Sequence, residues 1–237
     1  MSESNAAANL PRQYVNYAFF QVDPAWRRLP EAERKQGKEA FAEVVEDYQG
    51  RAMVIPFSLV GIRGDTDFML WRISYEMETL QEMSARLLAT GLGNYLTTPY
   101  SYLGQAKTSV YEDEFIHPSQ EEKRSRVRPG EYKYLFVYPF VKSREWFLLP
   151  MEQRQTIMRE HIRVGHEYPS IKLNTIYSFG IDDQEWVVAF ESNRPSDFVD
   201  LVMRLRETES SKYTVRDTPI FTCLRRDLRE MLDLLGG

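Results

Sequence analysis

The hydrophobic pattern is clearest between Tyr132 and His166. Tyr132, Tyr134, Phe136, Tyr138 and Phe140 alternate with Lys133, Leu135, Val137 and Pro139. A period of two sets all five rings on one face of a strand. Leu149-Pro150 then opens a helix over 151–164, with proline fixing φ for the first turn and Gly165 as its expected stop. His161 falls four residues after Ile157 and three after Met158, so it shares their apolar helix face. On the residues alone, such a histidine reads either as a packed core side chain or as a ligand. Tyr138 and Trp146 likewise read as packing residues and Lys142 as a surface charge.

The same reading extends along the chain. Strands are predicted at 14–22, 53–62, 67–74 and 94–104, with helices over 30–48 and 78–89. After Gly130 come strands at 132–140, 171–179, 185–191 and 213–223, with helices over 151–164 and 196–209. The order β-α-β-β-α-β occurs twice, and each occurrence is a ferredoxin-like unit. The two copies align: YAFFQVDPAWRRLPEAER against VYPFVKSREWFLLPMEQR pairs Trp26 with Trp146, Leu29-Pro30 with Leu149-Pro150 and Arg34 with Arg154, at a constant offset of 120. GIRGDTDFMLW against GIDDQEWVVAF pairs Gly61 with Gly180 at an offset of 119. The fold class is therefore α+β, two tandem repeats closing into one barrel-like domain. Its expected parts are a disordered tail (1–12), a first repeat (13–105), a linker (106–130), a second repeat (131–224) and a short amphipathic tail (225–237). The charged run EEKRSRVRPGE in the linker reads as a solvated loop or as a cationic lid over an acidic ligand.

Charge and chemistry narrow the function. A net charge of −5 argues against a nucleic-acid binder, which needs a basic stripe to neutralise phosphates. The single cysteine excludes an internal disulfide and fits a reducing compartment, so the cytoplasm is expected. No run of eighteen apolar residues predicts a membrane span. Three histidines, His117, His161 and His166, lack metalloprotease spacing, and no phosphate-binding glycine loop or nucleophile elbow occurs. Any catalysis would be borrowed from a cofactor.

YPFVKSREWFLLPMEQR, MREHIRVGHEYPSIKLNTIYSFGIDDQEWVVAFE and LVMRLRETESSKYTVRDTPIF resemble the chlorite dismutase-like haem proteins, and within them the coproheme decarboxylases. The resemblance spans roughly Tyr14 to Leu224. It implies a dimeric α+β barrel fold and a homo-oligomer, commonly a pentamer. It also implies an activity: peroxide-dependent conversion of two propionates of iron coproporphyrin III (coproheme) to vinyl groups, giving haem b. By resemblance, His161 is the iron ligand, Tyr138 the radical tyrosine, Lys142 and Ser210 propionate binders, and Trp146 a neighbour of the haem. Asn174 falls in the distal region, and His117 is a candidate distal base. Chlorite decomposition is disfavoured, because Asn174 stands where those enzymes carry an arginine. Ser210, with Glu209 beside it, stands where they carry a glutamate bonded to the ligand histidine. A peroxidase or chlorite-decomposing relative, or a non-catalytic haem carrier, remains the alternative.

Overall fold

The structure is a computed structural model that describes residues 11–111 and 126–236. The first repeat consists of β1 (Tyr14–Val22), α1 (Glu31–Asp47), β2 (Ala52–Ser58), β3 (Phe68–Ser74), α2 (Met77–Leu88) and β4 (Leu96–Gln105). The second consists of β5 (Tyr134–Lys142), a one-turn α3 (Arg144–Leu148), α4 (Met151–His166), β6 (Ile171–Tyr177), β7 (Trp186–Ser192), α5 (Pro195–Arg206), β8 (Thr214–Arg216) and β9 (Phe221–Arg225). A short α6 (Leu228–Asp233) follows.

Within each repeat the strands pair in the ferredoxin-like order, β4-β1-β3-β2 and β6-β7-β5-β9. The two sheets join edge to edge, β2 to β9 and β4 to β6, and the β5–β7 pairing closes the ring. Alternation then sorts side chains to two sides. Tyr17, Phe19, Phe57, Trp71, Leu135, Val137, Val187, Ala189, Phe221 and Cys223 fill the barrel interior. Ala18, Phe20, Phe68 and Leu70 face outward under α1, α2 and α6, whereas Phe136, Tyr138 and Phe190 face outward under α4 and α5. No helix of the described residues is long and apolar enough to cross a membrane.

The duplication extends to individual hydrogen bonds. Asp23 N–H donates to Tyr95 O at 2.8 Å, and Ser143 N–H donates to Tyr213 O at 2.8 Å. Arg34 and Arg154 each donate from the backbone to the proline that opens the helix, Pro30 and Pro150. Gly61 and Gly180 adopt φ of 74° and 75°, a left-handed conformation that glycine enters without a Cβ penalty. The strands after these glycines align at an offset of 118, since Ala18 pairs with Leu70 and Tyr138 with Val188. The second turn is therefore one residue shorter than the 119 alignment implies.

Three expectations are corrected. Gly165 does not stop α4, which continues to His166; Pro169 follows shortly, and no atom lies near the Gly165 Cβ position, so the exposed helix tolerates it. The stretch left without an element between the expected strand at 132–140 and the helix over 151–164 contains α3. The single strand expected at 213–223 is two strands, β8 and β9, separated by Asp217–Ile220 with a cis Thr218-Pro219 bond. Most of the expected tail (1–12) and part of the linker lie outside the described residues.

Candidate functional site

The outward face of the second repeat carries the candidate residues. β5 presents Tyr138 and Lys142 four positions apart, about 13 Å along a strand. Lys142 is buried at 6% exposure, although its charge would favour water. Its Nζ donates to Ser210 O at 2.5 Å and Ser210 Oγ at 3.0 Å, and it lies 4.7 Å from the Trp146 ring centre. The cation–π contact and two hydrogen bonds compensate part of the desolvation, but no carboxylate among the described residues offsets the charge of the ammonium. Burial accordingly depresses its pKa to about 8. α3 holds Trp146 between Lys142 and Tyr213, whose ring centre is 5.3 Å away.

His161 projects from α4. The residue is half-buried, and its Nδ1 is buried without a hydrogen-bond partner among the described residues. Desolvation first, and then the charge on Lys142, lowers its pKa to about 4. The imidazole is therefore neutral near pH 7, the form that donates a lone pair to a metal. Glu209, the nearest carboxylate in sequence to Ser210, turns to solvent and lies 3.9 Å from Lys212. Among the described residues no acceptor bonds to Nδ1 to orient the ring, unlike most metal-bound histidines.

Tyr138 is 7% exposed, with its ring stacked 6.1 Å from Phe190. Burial, and next the charge on Asp217, raise its phenol pKa well above the ordinary value, while Arg206 acts in the opposite direction. The phenol therefore stays protonated across the physiological range.

The structure brings together Lys142, Trp146 and Ser210, with His161 within reach of the Lys142 charge and Tyr138 on the same face. It does not bring Asn174 to them. Asn174 pairs with Ala189, which pairs with Val137, so its side chain points into the barrel, where Nδ2 donates to Glu191 Oε1 at 2.8 Å. On β6 the residues facing outward are Leu173 and Thr175, paired with Phe190 and Val188. His117 lies outside the described residues. Sequence reasoning missed Glu185, whose Oε2 accepts from Lys142 N–H at 3.2 Å, and the Arg206–Asp217 ion pair at 3.0 Å, whose charges act on the Tyr138 phenol. Neither carries a spacing signal: the first pair is 43 residues apart, and the second, 11 apart, runs from a helix end to a break between strands.

These residues fit an iron porphyrin with carboxylates at its rim. A neutral imidazole is available as a protein ligand, and a buried ammonium lacks an anion among the described residues. Tyr138 and Lys142 are too far apart for one small anion to meet both, whereas a broad flat ligand reaches both.

A family model described as chlorite dismutase matches residues 34–226. A coproheme decarboxylase of Mycolicibacterium smegmatis is 29% identical over 233 residues, covering 95% of each chain. A protein of the same name from Staphylococcus carnosus is 30% identical over 228 residues, covering 88% of this chain and 89% of its own. Among solved structures, a mutant chlorite dismutase from Candidatus Nitrospira defluvii is 25% identical and superposes with a TM-score of 0.86 over 98% of both chains.

Proposed function

The chain belongs to the chlorite dismutase family, and from that membership and the site's chemistry we propose that it is a haem-biosynthetic enzyme that oxidatively decarboxylates coproheme with hydrogen peroxide. Two propionates become vinyl groups and haem b is the product. Each propionate consumes one peroxide and one proton and yields one vinyl group, one carbon dioxide and two waters. The observation that carries this reading is the buried ammonium of Lys142, held by Ser210 and Trp146 on the same sheet face as a buried, protonated tyrosine. A chain that only carried haem would have no use for an oxidisable phenol in that position.

The bound iron porphyrin would supply the redox chemistry that reduces peroxide. His161 would ligate the iron as a neutral imidazole. Lys142 would hold one rim carboxylate as a point charge, with Ser210 fixing the ammonium and Trp146 covering it. Tyr138 would give up its phenolic hydrogen and recover one from the β-carbon of the reacting propionate, whose carboxylate then leaves as carbon dioxide. Burial keeps the phenol protonated until it reacts. A cytoplasmic homo-oligomer belongs to the same reading and is checked by light scattering of the loaded protein.

The test is Tyr138→Phe. The ring volume is retained, so coproheme should bind with a loss of about 1 kcal/mol at most. Added peroxide should then leave both propionates intact by mass analysis of the porphyrin. Conversion near the parental rate refutes the proposed role of Tyr138.

A further inference from the structure

The loop between β2 and β3 sets a carboxylate against a second phenol. Arg63 Nε and Nη2 donate to Asp65 Oδ1 at 2.6 Å and to Oδ2 at 2.9 Å, a two-point contact that fixes the carboxylate plane. The Tyr100 hydroxyl, from β4, donates to the same Oδ2 at 2.8 Å. Among the described residues no other tyrosine donates its hydroxyl to a carboxylate, and the buried Tyr17 hydroxyl has no partner at all. The Arg63 contact holds the Asp65 carboxyl below its ordinary range, so it is ionised near pH 7, while the bond to Asp65 and then burial raise the Tyr100 phenol. A phenol gives up an electron readily only when its proton can leave with it. A carboxylate already bonded to the hydroxyl receives that proton without rearrangement.

The pair is also joined to the outward face of the second repeat. Arg63 Nη1 donates to Ile220 O at 3.0 Å, and its guanidinium lies 4.5 Å from the Phe221 ring centre. The Phe221 ring is 5.0 Å from that of Tyr100. Ile220 packs against the cluster of Phe136, Tyr138 and Phe190, and Phe221 pairs with Val137, the residue before Tyr138. Ile220 and Phe221 thus carry an unbroken line of bonded and packed atoms from the Tyr138 cluster, through the sheet, to Tyr100.

We propose that Tyr100 is a second oxidisable tyrosine, with Asp65 as its proton acceptor, and that it drains oxidising equivalents that no propionate consumes. The draining role rests on the reaction proposed above. The electron that leaves Tyr100 becomes one of the two that reduce peroxide to water, and one solvent proton is taken up there. The phenolic proton of Tyr100 passes to Asp65, whose side chain is 40% exposed and returns it to solvent. The Tyr100 phenoxyl regains a hydrogen atom from a small thiol in solvent, which leaves as a thiyl radical. Arg63 is a positioning residue, since it holds the carboxylate and gives up no electron.

The experiment has two arms. In the ligand-free protein, Tyr100 is replaced by a fluorotyrosine, whose fluorine splitting identifies its radical in electron paramagnetic resonance, and a ruthenium polypyridyl photo-oxidant is flashed. Asp65→Asn should slow phenoxyl formation at position 100 by about 100-fold, with the signal at the other tyrosines unchanged, and Asp65→Glu should recover much of the rate. In the coproheme-loaded protein, Tyr100→Phe keeps the ring packing, so the first turnover should be parental. Under excess peroxide without a thiol, that variant should lose activity several-fold faster than the parent. No radical at position 100 in the ligand-free protein, or an unchanged rate in Asp65→Asn, overturns the assignment of the pair. Parental survival of Tyr100→Phe under peroxide overturns the draining role. If the parent forms no vinyl product, the proposed reaction fails, while the flash experiment still decides whether Tyr100 and Asp65 act together.

Discussion

The two repeats use the same positions for opposite purposes. At the offset of 120, Ala18, Val22 and Phe41 of the first repeat correspond to Tyr138, Lys142 and His161 of the second. At the offset of 118, Leu92 corresponds to Ser210. Val22, Phe41 and Leu92 are 0–3% exposed and belong to one apolar cluster with Trp26. Trp26 closes that cluster against Gly37, where an added Cβ would lie 2.9 Å from the ring. In the second repeat Trp146 is retained, but it lies under an ammonium instead. α1 buries Gly37, Lys38, Phe41, Ala42, Val44 and Val45, whereas α4 buries only Ile157 and Val164. One copy spends its helix–sheet interface on stability. The other sets Lys142, His161 and Ser210 at the matching positions, and its helix buries fewer side chains.

This comparison is open to direct exchange of residues. The largest effect is expected from Phe41→His, which puts the second repeat's imidazole into the packed cluster of the first. The lost ring packing and buried polar atoms should destabilise the protein by about 3–5 kcal/mol in urea unfolding. A change below 1 kcal/mol would show that the first repeat is not the tightly packed copy.

Lys142→Val, which imports the residue at Val22, should act in the opposite direction on the ligand-free protein. Removing a buried ammonium without an anion should stabilise it by about 1–3 kcal/mol at pH 7 while weakening coproheme binding. The pH dependence adds a signature. With a folded pKa of about 8 against an ordinary 10.5, the unfolded chain binds more protons between those values, so parental stability rises over that window. The valine variant should lack that rise.

The smallest effect concerns acid. His161 has a folded pKa of about 4 against an ordinary 6.5, so the unfolded chain again binds more protons in between. Its contribution is fully present above pH 6.5 and is lost as the pH falls toward 4. His161→Phe should flatten that part of the stability curve. An unchanged acid limb would show that the imidazole is more hydrated than its buried Nδ1 indicates.

Much of the fold was legible because duplication wrote it twice. Trp26 and Trp146, with a Leu-Pro pair three residues after each, fix the frame, and strand alternation then assigns Tyr138 and Val137 to opposite sides of the sheet. Parity also separates Asn174 from the other candidate residues. A shift of one residue exchanges faces, and Asn174 lies on the interior side with Val137 and Ala189. The polar cluster of Lys142, Ser210 and Trp146 has no local signature, because 68 residues separate the lysine from the serine. Only the resemblance to a family named those residues together. The break between β8 and β9 stayed hidden because TVRDTPIF has the composition of an ordinary strand up to its proline.

The closure of the sheet has a consequence for how the molecule meets its neighbours. Among the described residues eight strands form a cycle, and only three-residue β8 lies outside it. An open sheet of this size offers two rows of unpaired amides and carbonyls to any extended chain nearby, including another copy of itself. Here the repeats meet through Gln105–Tyr177 on one side and through Phe57–Arg225 and Ser58–Leu224 on the other. Each edge is therefore capped over part of its length, and strand addition is hindered at those points.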